Sequence, residues 1–264
     1  MTLSKKAFPG SPPRGNILGV EVSAINMEMA LDQMAQWIAS RQQAYVCVTP
    51  AHAVMACYNQ PELRRIYNHS GLTTPDGMAI VWLLRWLGHR QVERVYGPDL
   101  LLAACERFME RGVRHFFYGA EPGVAERLVA RLQAQNPGLV VAGIESPPFR
   151  ALTAEEDAAV VERIRAASPD IVWVGIGSPR QEMWMAAHLE RLHAPVLVGV
   201  GAAFDFLSGN KPQAPRWLQR SGLEWLFRLG SEPARLWRRY VLGYPLFVVL
   251  VGLQMLGLRK YPSE

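Results

Sequence analysis

The sequence predicts an α/β protein with a doubly wound, mostly parallel sheet and a helical C-terminal appendage. Six short apolar runs rich in β-forming residues recur between Tyr45 and Gly201, and helical patterns separate them. Continuous apolar strands that alternate with helices are typical of a parallel sheet covered on both faces. After Gly209 the alternation stops, and helical stretches rich in tryptophan and arginine follow. In such sheets, ligands bind beyond the carboxyl ends of the strands.

The elements follow in a regular order. "YVCVT" predicts a strand, two short helices separated at Pro61 come next, and "GLTT" predicts a brief strand before the apolar helix "GMAIVWLLRWLG". "GPDLLLAACERFMERG" predicts a helix that ends at Gly112. Thr153 and Glu156 have the spacing of a capping box. The remaining predicted strands are "RHFFYGA", "LVVAGI", "DIVWVGIG" and "PVLVGVG". The helices between them are "PGVAERLVARLQAQN", "TAEEDAAVVERIRAA" and "PRQEMWMAAHLERL".

Length and composition fit one large domain with an appendage. The chain has 264 residues, of which 50% are hydrophobic and 19% are charged, so we expect a sizeable core and no general disorder. We predict a flexible N-terminal arm over residues 1–15, an α/β domain over 16–210 and a basic, apolar appendage over 211–264.

The charge is positive overall and concentrated towards the C-terminus. The net charge is +5, and residues 211–260 contain nine Lys and Arg against two Glu. This excess favours anionic partners such as phosphates, nucleic acid or an acidic membrane surface. The three cysteines have no metal-binding spacing and an odd count, which fits a reducing, cytosolic compartment better than a disulfide framework.

The stretch Val241–Leu258 carries no charge, and Arg238, Arg239, Arg259 and Lys260 flank it. Its length lies at the lower limit for a membrane-spanning helix, which needs roughly 20 apolar residues. Its proline and glycines weaken that interpretation. The alternatives are a segment that dips into the membrane or lies on its surface, and a buried core helix.

Asp76 stands between a proline and a glycine in "LTTPDGMAIVW", where a predicted strand meets a predicted helix. One interpretation is a turn or N-cap residue, since aspartate is common in both places. The other is a general base, because Met78 and Trp82 would partly desolvate its carboxylate. Both roles are compatible with one residue.

Two glycine-rich loops follow predicted strands. "VGIGSPRQE", Val174–Glu182, ends a strand and opens a helix, and "VGVGAAFDFLSG", Val198–Gly209, repeats the pattern and adds Asp205. Glycines let backbone N–H groups approach a phosphate, and a helix N-terminus adds a favourable dipole. Two tight strand–helix turns are the plainer alternative. Neither loop is the dinucleotide fingerprint, so a nicotinamide cofactor is not supported.

Histidines and carboxylates show no metal-binding pattern. His188 and His193 are five residues apart, on different faces of a helix, and no acidic pair with DxD spacing stands at a strand end. We therefore expect no metal, and the C-terminal arginines would neutralise a bound diphosphate instead. His52, which follows Thr49 at a strand end, is a further site candidate.

Several stretches, in order and suitably spaced, make the sequence resemble the WecG/TagA/CpsF family of bacterial glycosyltransferases, glycosyltransferase family 26. The resemblance extends over residues 16–240. The stretches that carry it are "TPDGM" (Thr74–Met78), "RVYGPDL" (Arg94–Leu100), "PDIVWVGIGSPRQE" (Pro169–Glu182), "VGVGAAFDFLSG" (Val198–Gly209) and "APRWLQRSGLEWLFRLGSEPARL" (Ala214–Leu236).

The resemblance implies a Rossmann-like fold of the GT-E type and an inverting transfer of a hexosyl unit from a UDP-sugar to a polyprenyl-diphosphate-linked saccharide, in cell-surface or exopolysaccharide biosynthesis. Residues 16–210 would bind the nucleotide sugar, and the appendage would associate with the membrane. The enzyme would lie on the cytoplasmic face of the bacterial inner membrane, peripherally or with its C-terminus dipping in. Neither a cofactor nor nucleic acid is expected, and the formation of a homo-oligomer is an open alternative.

The resemblance also assigns roles to residues. Asp76 is the proposed base, and Gln181 lies at the nucleotide-sugar site. The arginines of the appendage would close over the diphosphate when the appendage docks at the membrane: Arg228, Arg235 and Arg238. The other predicted substrate-binding residues are Thr49, His52, Arg94, Gly177, Gly201 and Asp205.

The chain departs from the family pattern after its first long strand. Family members commonly have Thr-x-Asn there, whereas this chain has Thr49-Pro50-Ala51 followed by His52. His52 is therefore the expected substitute for the missing asparagine.

Two other classes of protein are alternatives. A non-catalytic, membrane-associated sugar-nucleotide-binding scaffold of a polysaccharide assembly would keep the glycine loops and the tail, but would not need Asp76 or the three arginines. A nucleotide-sugar epimerase or dehydrogenase is disfavoured, since the chain lacks both GxGxxG and a Tyr-x-x-x-Lys pair.

Overall fold

The computed structural model describes residues 10–263, in which helices and strands alternate from the first long strand to the last. The strands are β1 (Arg14–Ile17), β2 (Val20–Ser23), β3 (Ala44–Thr49), β4 (Leu72–Pro75), β5 (Arg114–Gly119), β6 (Val140–Glu145), β7 (Ile171–Gly175) and β8 (Val196–Gly199). The helices up to the last strand are α1 (Met27–Ser40), α2 (Ala51–Asn59), α3 (Pro61–His69), α4 (Met78–Trp86), α5 (Gly97–Phe108), α6 (Val124–Gln135), α7 (Ala154–Ala166) and α8 (Arg180–Leu192). After it come α9 (Ala203–Ser208), α10 (Arg216–Arg220), α11 (Glu224–Ser231), α12 (Pro233–Trp237) and α13 (Gly243–Met255).

Six of the strands form one all-parallel sheet in the order β4–β3–β8–β7–β5–β6. The register places Ala44 and Ile171 on either side of Val196, and His115 beside Ile171. Helices flank this sheet, so the predicted doubly wound α/β fold is confirmed. All six predicted strands are present, and the helices on either side of Pro61 separate as predicted.

Apolar side chains explain why these strands lie inside. Residues 171–174 of β7 and all of β8 are buried, as a strand covered on both faces requires. Phe117 of β5 packs against Phe204 of α9, with ring centroids 5.9 Å apart. The predicted capping box of α7 is confirmed: Thr153 Oγ1 accepts from Glu156 N, and Thr153 N donates to Glu156 Oε2.

The chain divides into two units. The first comprises residues 10–27, Val48–Tyr96 and 212–263, and the second comprises Glu28–Cys47 and Gly97–Lys211. The predicted domain limits at 16, 210 and 211 stay a prediction. Of the predicted arm over residues 1–15, residues 1–9 lie outside the described part of the chain.

A short antiparallel hairpin precedes the sheet, and the sequence did not predict it. Its first strand, β1, begins at Arg14 and pairs with β2 so that Arg14 lies opposite Ser23. Arg14 Nη2 donates to Ser70 O at 2.6 Å, and this bond ties the hairpin to the rest of the first unit. The final two residues of the predicted arm are therefore part of a strand.

Among residues 10–263, the structure contains one helical stretch, Pro233–Met255, that is long and apolar enough by length and composition to cross a membrane. A π-helical turn, Arg238–Leu242, connects α12 to α13 within it. α13 buries Phe247 and Leu250, whereas Leu246 and Val249 are exposed. One face of the segment is thus packed in the first unit and the other is open.

Candidate active site

The first unit contains a cavity of about 240 Å³, formed by the start of α2, the start of α4 and the C-terminal helices α11 and α13. Its lining combines two chemical groups. The polar group includes His52, Asp76, Arg94, Glu224 and Arg228, and the apolar group includes Met78, Ala79, Trp82, Phe247 and Val248. An apolar concave surface with a few convergent polar groups is the usual form of a small-molecule site.

Asp76 directly follows β4, and its backbone is fixed to the neighbouring strand end. Asp76 N donates to Thr49 O at 3.3 Å. The N-cap of α4 is Gly77, whose φ of +80° favours glycine and which has no side chain to cap the helix. The expected helix-capping role of Asp76 is therefore wrong, because its carboxylate instead binds Arg94.

Arg94 holds two carboxylates with one guanidinium. Its Nε donates to Asp76 Oδ1 at 2.9 Å, and its Nη2 donates to Glu224 Oε2 at 2.6 Å. The three side chains are only 13–14% exposed, so water screens these contacts weakly. The Arg94 guanidinium also lies 4.1 Å from the centroid of the Tyr96 ring, a cation–π contact that fixes its plane.

The residues of this cluster differ in how firmly they are held in their charged forms. Burial by itself would lower the pKa of Arg94, but Asp76 and Glu224 more than offset it, and Arg94 stays charged. Burial raises the pKa of Glu224; Arg94 opposes this rise and the negative charge of Asp76 adds to it. The cavity therefore contains a permanently charged arginine between two carboxylates, and Glu224 is held less firmly in its ionised form than a carboxylate in water.

His52 is the second residue of α2 and lines the same cavity. Its pKa lies well below its ordinary value because the ring is desolvated and because Arg239, Arg228 and Arg235 repel a proton. The imidazole is therefore neutral near pH 7, and one ring nitrogen can donate while the other accepts. This chemistry suits the predicted replacement of an asparagine.

The three predicted arginines differ in position. Arg228, on α11, lines the cavity. Arg235 is exposed and binds Glu232 at 2.7 Å, and the guanidinium of Arg238, also exposed, lies 5.4 Å from the Trp237 ring centroid. Neither of these two belongs to the cavity lining, and their closure over a diphosphate stays a prediction.

In the second unit, Gln181 joins the two glycine-rich loops. Its Oε1 accepts from Gly201 N at 3.0 Å, its Nε2 donates to Glu182 Oε1 at 2.9 Å, and its own backbone N donates to Gly177 O. Gly177 and Gly201 have φ values of +83° and +55°, conformations that favour glycine. The structure thus brings together the three residues predicted for a nucleotide site in these loops.

Asp205 lies on α9 in the second unit, and its carboxylate has local partners. Asn210 Nδ2 donates to Asp205 Oδ1 at 2.7 Å, and Lys211 Nζ lies 3.7 Å from Oδ2. These contacts fix the turn that follows α9. A contact between Asp205 and substrate stays a prediction.

A second cavity, of about 400 Å³, adjoins the first glycine-rich loop within the second unit. Ile176 and Arg180, on either side of that loop, line it together with Tyr118 and Trp184. The Tyr118 and Trp184 rings are stacked with centroids 4.3 Å apart, and His188 stacks on the other side of Trp184 at 4.4 Å. Both faces of Trp184 are thus covered, so a flat heterocycle would contact ring edges here, with the cationic Arg180 beside it for a phosphate.

Two charged residues that act on the first cavity, Glu224 and Arg239, were not predicted from the sequence. Glu224 was part of the stretch "SGLEWLFR" but had no assigned role, although it is one of only two acids among the nine basic residues of segment 211–260. Arg239, whose charge acts on His52, was passed over for its neighbour Arg238. Among the described residues, no group of three His, Cys, Asp or Glu side chains could hold a metal ion, and the need for a metal stays untested.

Comparison with known proteins identifies the family of the chain. Residues 15–261 match the family described as the glycosyl transferase WecG/TagA/CpsF family. An N-acetylglucosaminyldiphosphoundecaprenol N-acetyl-beta-D-mannosaminyltransferase of Bacillus spizizenii is 31% identical over 191 residues, 72% of each chain. An enzyme of the same name from Bacillus subtilis is 30% identical over 186 residues, 70% of each chain.

The family match and these relatives identify the protein as a glycosyltransferase. Its parallel α/β sheet and its cavity with carboxylates and arginines fit that class. The chain belongs to the WecG/TagA/CpsF family of glycosyl transferases. The predicted family is confirmed.

Proposed function

We propose that this enzyme transfers a hexosyl unit, with inversion at the anomeric carbon, from a UDP-sugar to a saccharide linked to a polyprenyl diphosphate. The observation that carries the proposal is the cluster of Asp76, Arg94 and Glu224 in a cavity that Arg228 also lines. The names of the two Bacillus relatives describe an undecaprenyl-diphosphate-linked acceptor and a mannosaminyl transfer. Both features fit a site with a base and cationic groups.

The reaction needs a base at the acceptor hydroxyl. Arg94 binds Asp76 Oδ1, and the other oxygen, Oδ2, accepts the proton of that hydroxyl. The acceptor oxygen forms a bond to C1 of the donor sugar from the face opposite UDP. The bond between C1 and the diphosphate oxygen breaks, and UDP leaves with the electron pair. One displacement of this kind inverts the anomeric centre.

The donor is held through its phosphates and its base. Backbone N–H groups of the loops 177–181 and 201–204, other than those of Gln181 and Gly201, bind phosphate oxygens, and the Gln181–Gly201 hydrogen bond keeps the loops in register. The aromatic cavity of Tyr118 and Trp184 receives the uracil ring, with Arg180 beside it. Arg228 supplies positive charge to the cavity of Asp76, where the acceptor diphosphate lies.

The C-terminal segment supports a membrane location. α13 exposes Leu246, Val248 and Val249, and the basic residues Arg259 and Lys260 come after it. Exposed apolar side chains next to cations bind an anionic membrane surface, since each part contributes. The enzyme lies on the cytoplasmic face of the inner membrane, where a lipid-linked acceptor would be within reach.

A donor panel tests the proposal. Full-length protein in vesicles is incubated with undecaprenyl diphosphate N-acetylglucosamine together with one donor at a time: UDP-N-acetylmannosamine, UDP-glucose, UDP-glucuronic acid or the corresponding GDP-sugar. Lipid-linked disaccharide from one UDP-sugar, with inverted configuration by NMR, is the expected result. Binding of UDP without any transfer would instead identify a scaffold, and transfer only from a GDP-sugar would refute the UDP assignment.

A further inference from the structure

The apolar lining of the Asp76 cavity has a property that the transfer reaction does not need. Met78, Ala79 and Trp82 of α4 and Phe247 and Val248 of α13 border the same cavity as the charged cluster. Sugar hydroxyls and diphosphate oxygens need hydrogen-bond partners, which the side chains of Met78, Phe247 and Val248 do not supply. The apolar lining therefore calls for a second kind of ligand chemistry.

This lining reaches the protein surface. Phe247 is only 5% exposed, but Trp82 is 51% exposed and Val248 67% exposed, although both line the cavity. A Cβ at Gly222 would lie 2.9 Å from Trp82 Cη2, so the turn before α11 packs directly on the indole and supports it. The apolar lining thus runs from the buried part of the cavity to solvent.

The surface around the exposed end is also apolar. Trp86 is 61% exposed, one helical turn beyond Trp82 on α4, and Val249 is 59% exposed beside Val248. The sequence from Val241 to Leu258 contains no charged residue. A ligand that extends outwards along the α13 side of this lining therefore meets no charged side chain of residues 241–258.

We propose that the apolar lining holds the first isoprene units of the acceptor's polyprenyl chain and leads the remainder of the chain out between Trp82 and Val248. The occupant is an anion at one end and a long hydrocarbon at the other, because Arg228 lines the same cavity, whereas Arg94 is already paired with Asp76 and Glu224. A free sugar or a water-soluble glycan lacks the second part. The inference rests on the proposed lipid-linked acceptor and adds where its lipid is bound.

The lining also gives the acceptor an orientation. Hydrocarbon held against Trp82 and Phe247 keeps the isoprene units away from Arg94 and Glu224, since burying apolar surface there is favourable and burying it against charge is not. The diphosphate then meets Arg228, and the saccharide beyond it comes within reach of Asp76. A site of this kind lowers KM for acceptors that carry isoprene units.

The test compares two acceptors that differ only in the hydrocarbon. N-acetylglucosaminyl diphosphate esterified with farnesyl is assayed against the methyl ester, without detergent and below the aggregation limit of the farnesyl compound. We expect wild-type kcat/KM to favour farnesyl by about 100-fold, the effect of burying a few CH2 groups. Trp82→Gln and Val248→Gln should each lower that ratio about tenfold, mainly through KM for the farnesyl compound.

The matched control lies outside both the cavity lining and the apolar surface around it. Trp217→Gln, at an exposed position on α10, changes a side chain of the same kind as Trp82, and its farnesyl-to-methyl ratio should equal that of wild type. Trp82→Phe, which keeps an aromatic ring, should restore most of the preference. Thermal unfolding followed by circular dichroism checks that every variant is folded.

Several results would overturn the inference. An unchanged ratio in Trp82→Gln and Val248→Gln would do so, and two further measurements would then name the occupant. Weaker sedimentation with anionic vesicles would make the surface a membrane contact only, and loss of a concentration-dependent dimer would make it an interface between copies of this chain. Equal wild-type rates for both esters would remove the lipid site alone, whereas transfer to neither would reject the proposed function itself.

Discussion

Arg94 and Glu224 form an ion pair in which Nη2 lies 2.6 Å from Oε2, and the Nε of the same guanidinium binds Asp76. Glu224 is the first residue of α11 in the C-terminal segment, whereas Asp76 follows β4. One arginine therefore couples the proposed base to the helix that also bears Arg228. A planar guanidinium fixes the direction of each donor, so a shift of α11 would alter the hydrogen bonding of Asp76.

Replacing Glu224 by glutamine should separate activity from stability. Because burial raises the pKa of Glu224, the folded state binds its proton more tightly than the unfolded state does. Wild type thus loses stability relative to Glu224→Gln as the pH rises above the ordinary value of 4.5, and the two should be alike below it. Thermal unfolding between pH 4 and 8 should show a higher Tm for the variant at neutral pH.

The same substitution should slow the transfer reaction. With Arg94 no longer held by an anion on α11, Asp76 is less well placed, and kcat should fall roughly 10- to 100-fold. Glu62→Gln, at an exposed position on α3 of the same unit, is the control and should match wild type in both measurements. A variant that unfolds at a lower temperature than wild type at pH 7, with normal kcat, would make the pair purely structural.

Asp76→Asn tests the base directly. An amide cannot take the proton of the acceptor hydroxyl, so the transfer rate should fall by about 10²- to 10⁴-fold. Affinity for UDP, measured by calorimetry, should stay at the wild-type value because the glycine-rich loops are intact. Glu93→Gln, an exposed carboxylate next to Arg94, controls for the loss of a charge. Transfer by Asp76→Asn at the wild-type rate would remove Asp76 from the mechanism.

The fold was predictable because local and global signals agree in this chain. Fully apolar runs such as β7 and β8 can only be buried, and the helices between them have clear limits such as Pro61 and Thr153. The hairpin was not predicted because each of its strands has only four residues and mixes apolar with polar side chains. Its position depends on Arg14 bonding to a carbonyl 56 residues away, which no local pattern shows.

A motif was neither necessary nor sufficient for predicting a site residue, since His52 lies outside the motifs and Glu224 lies within one. Asp76 and Arg94 lie in such motifs, but the partner that joins Arg94 to α11 is 130 positions away in the sequence. The choice between Arg238 and Arg239 depended on helical phase. Neighbouring residues on a helix point roughly 100° apart, and the π-helical turn at Arg238–Leu242 changes the phase again.

Gln181→Glu should destabilise the second unit in a pH-dependent way. The new carboxylate would be buried next to Glu182, which is fully buried, and near pH 7.5 the cost should be about 2–4 kcal/mol in unfolding free energy. At pH 4.5 the cost should be smaller, because one proton shared between the two acids relieves the repulsion. Denaturant unfolding at both pH values measures this difference.

Two further variants isolate the charge effect at this position. Gln181→Met removes the hydrogen bonds to Gly201 and Glu182 without adding charge, so its cost should change less with pH than that of Gln181→Glu. Gln135→Glu adds a carboxylate at the exposed end of α6 and should leave stability almost unchanged. A pH-independent cost for Gln181→Glu would show that water reaches the Gln181–Glu182 pair.

Gly119 and Gly175 explain why β5 and β7 can end side by side next to the glycine-rich loop. They are register partners, and a Cβ at Gly119 would lie 2.5 Å from the carbonyl carbon of Gly175. Gly119 also has a φ of +135°, which only glycine adopts readily. Gly119→Ala should therefore cost more than about 3 kcal/mol in unfolding free energy, from backbone strain and a clash together.

Gly112→Ala supplies the comparison, because it has a positive φ, +62°, but nothing within 4 Å of its added Cβ. Backbone strain alone should make this variant less stable by about 1–2 kcal/mol. The excess cost of Gly119→Ala over Gly112→Ala, measured by denaturant unfolding, then combines the stronger backbone strain at a φ of +135° with the cost of separating the ends of β5 and β7. Equal costs would show that these strand ends move apart freely and that the first glycine-rich loop is not held by them.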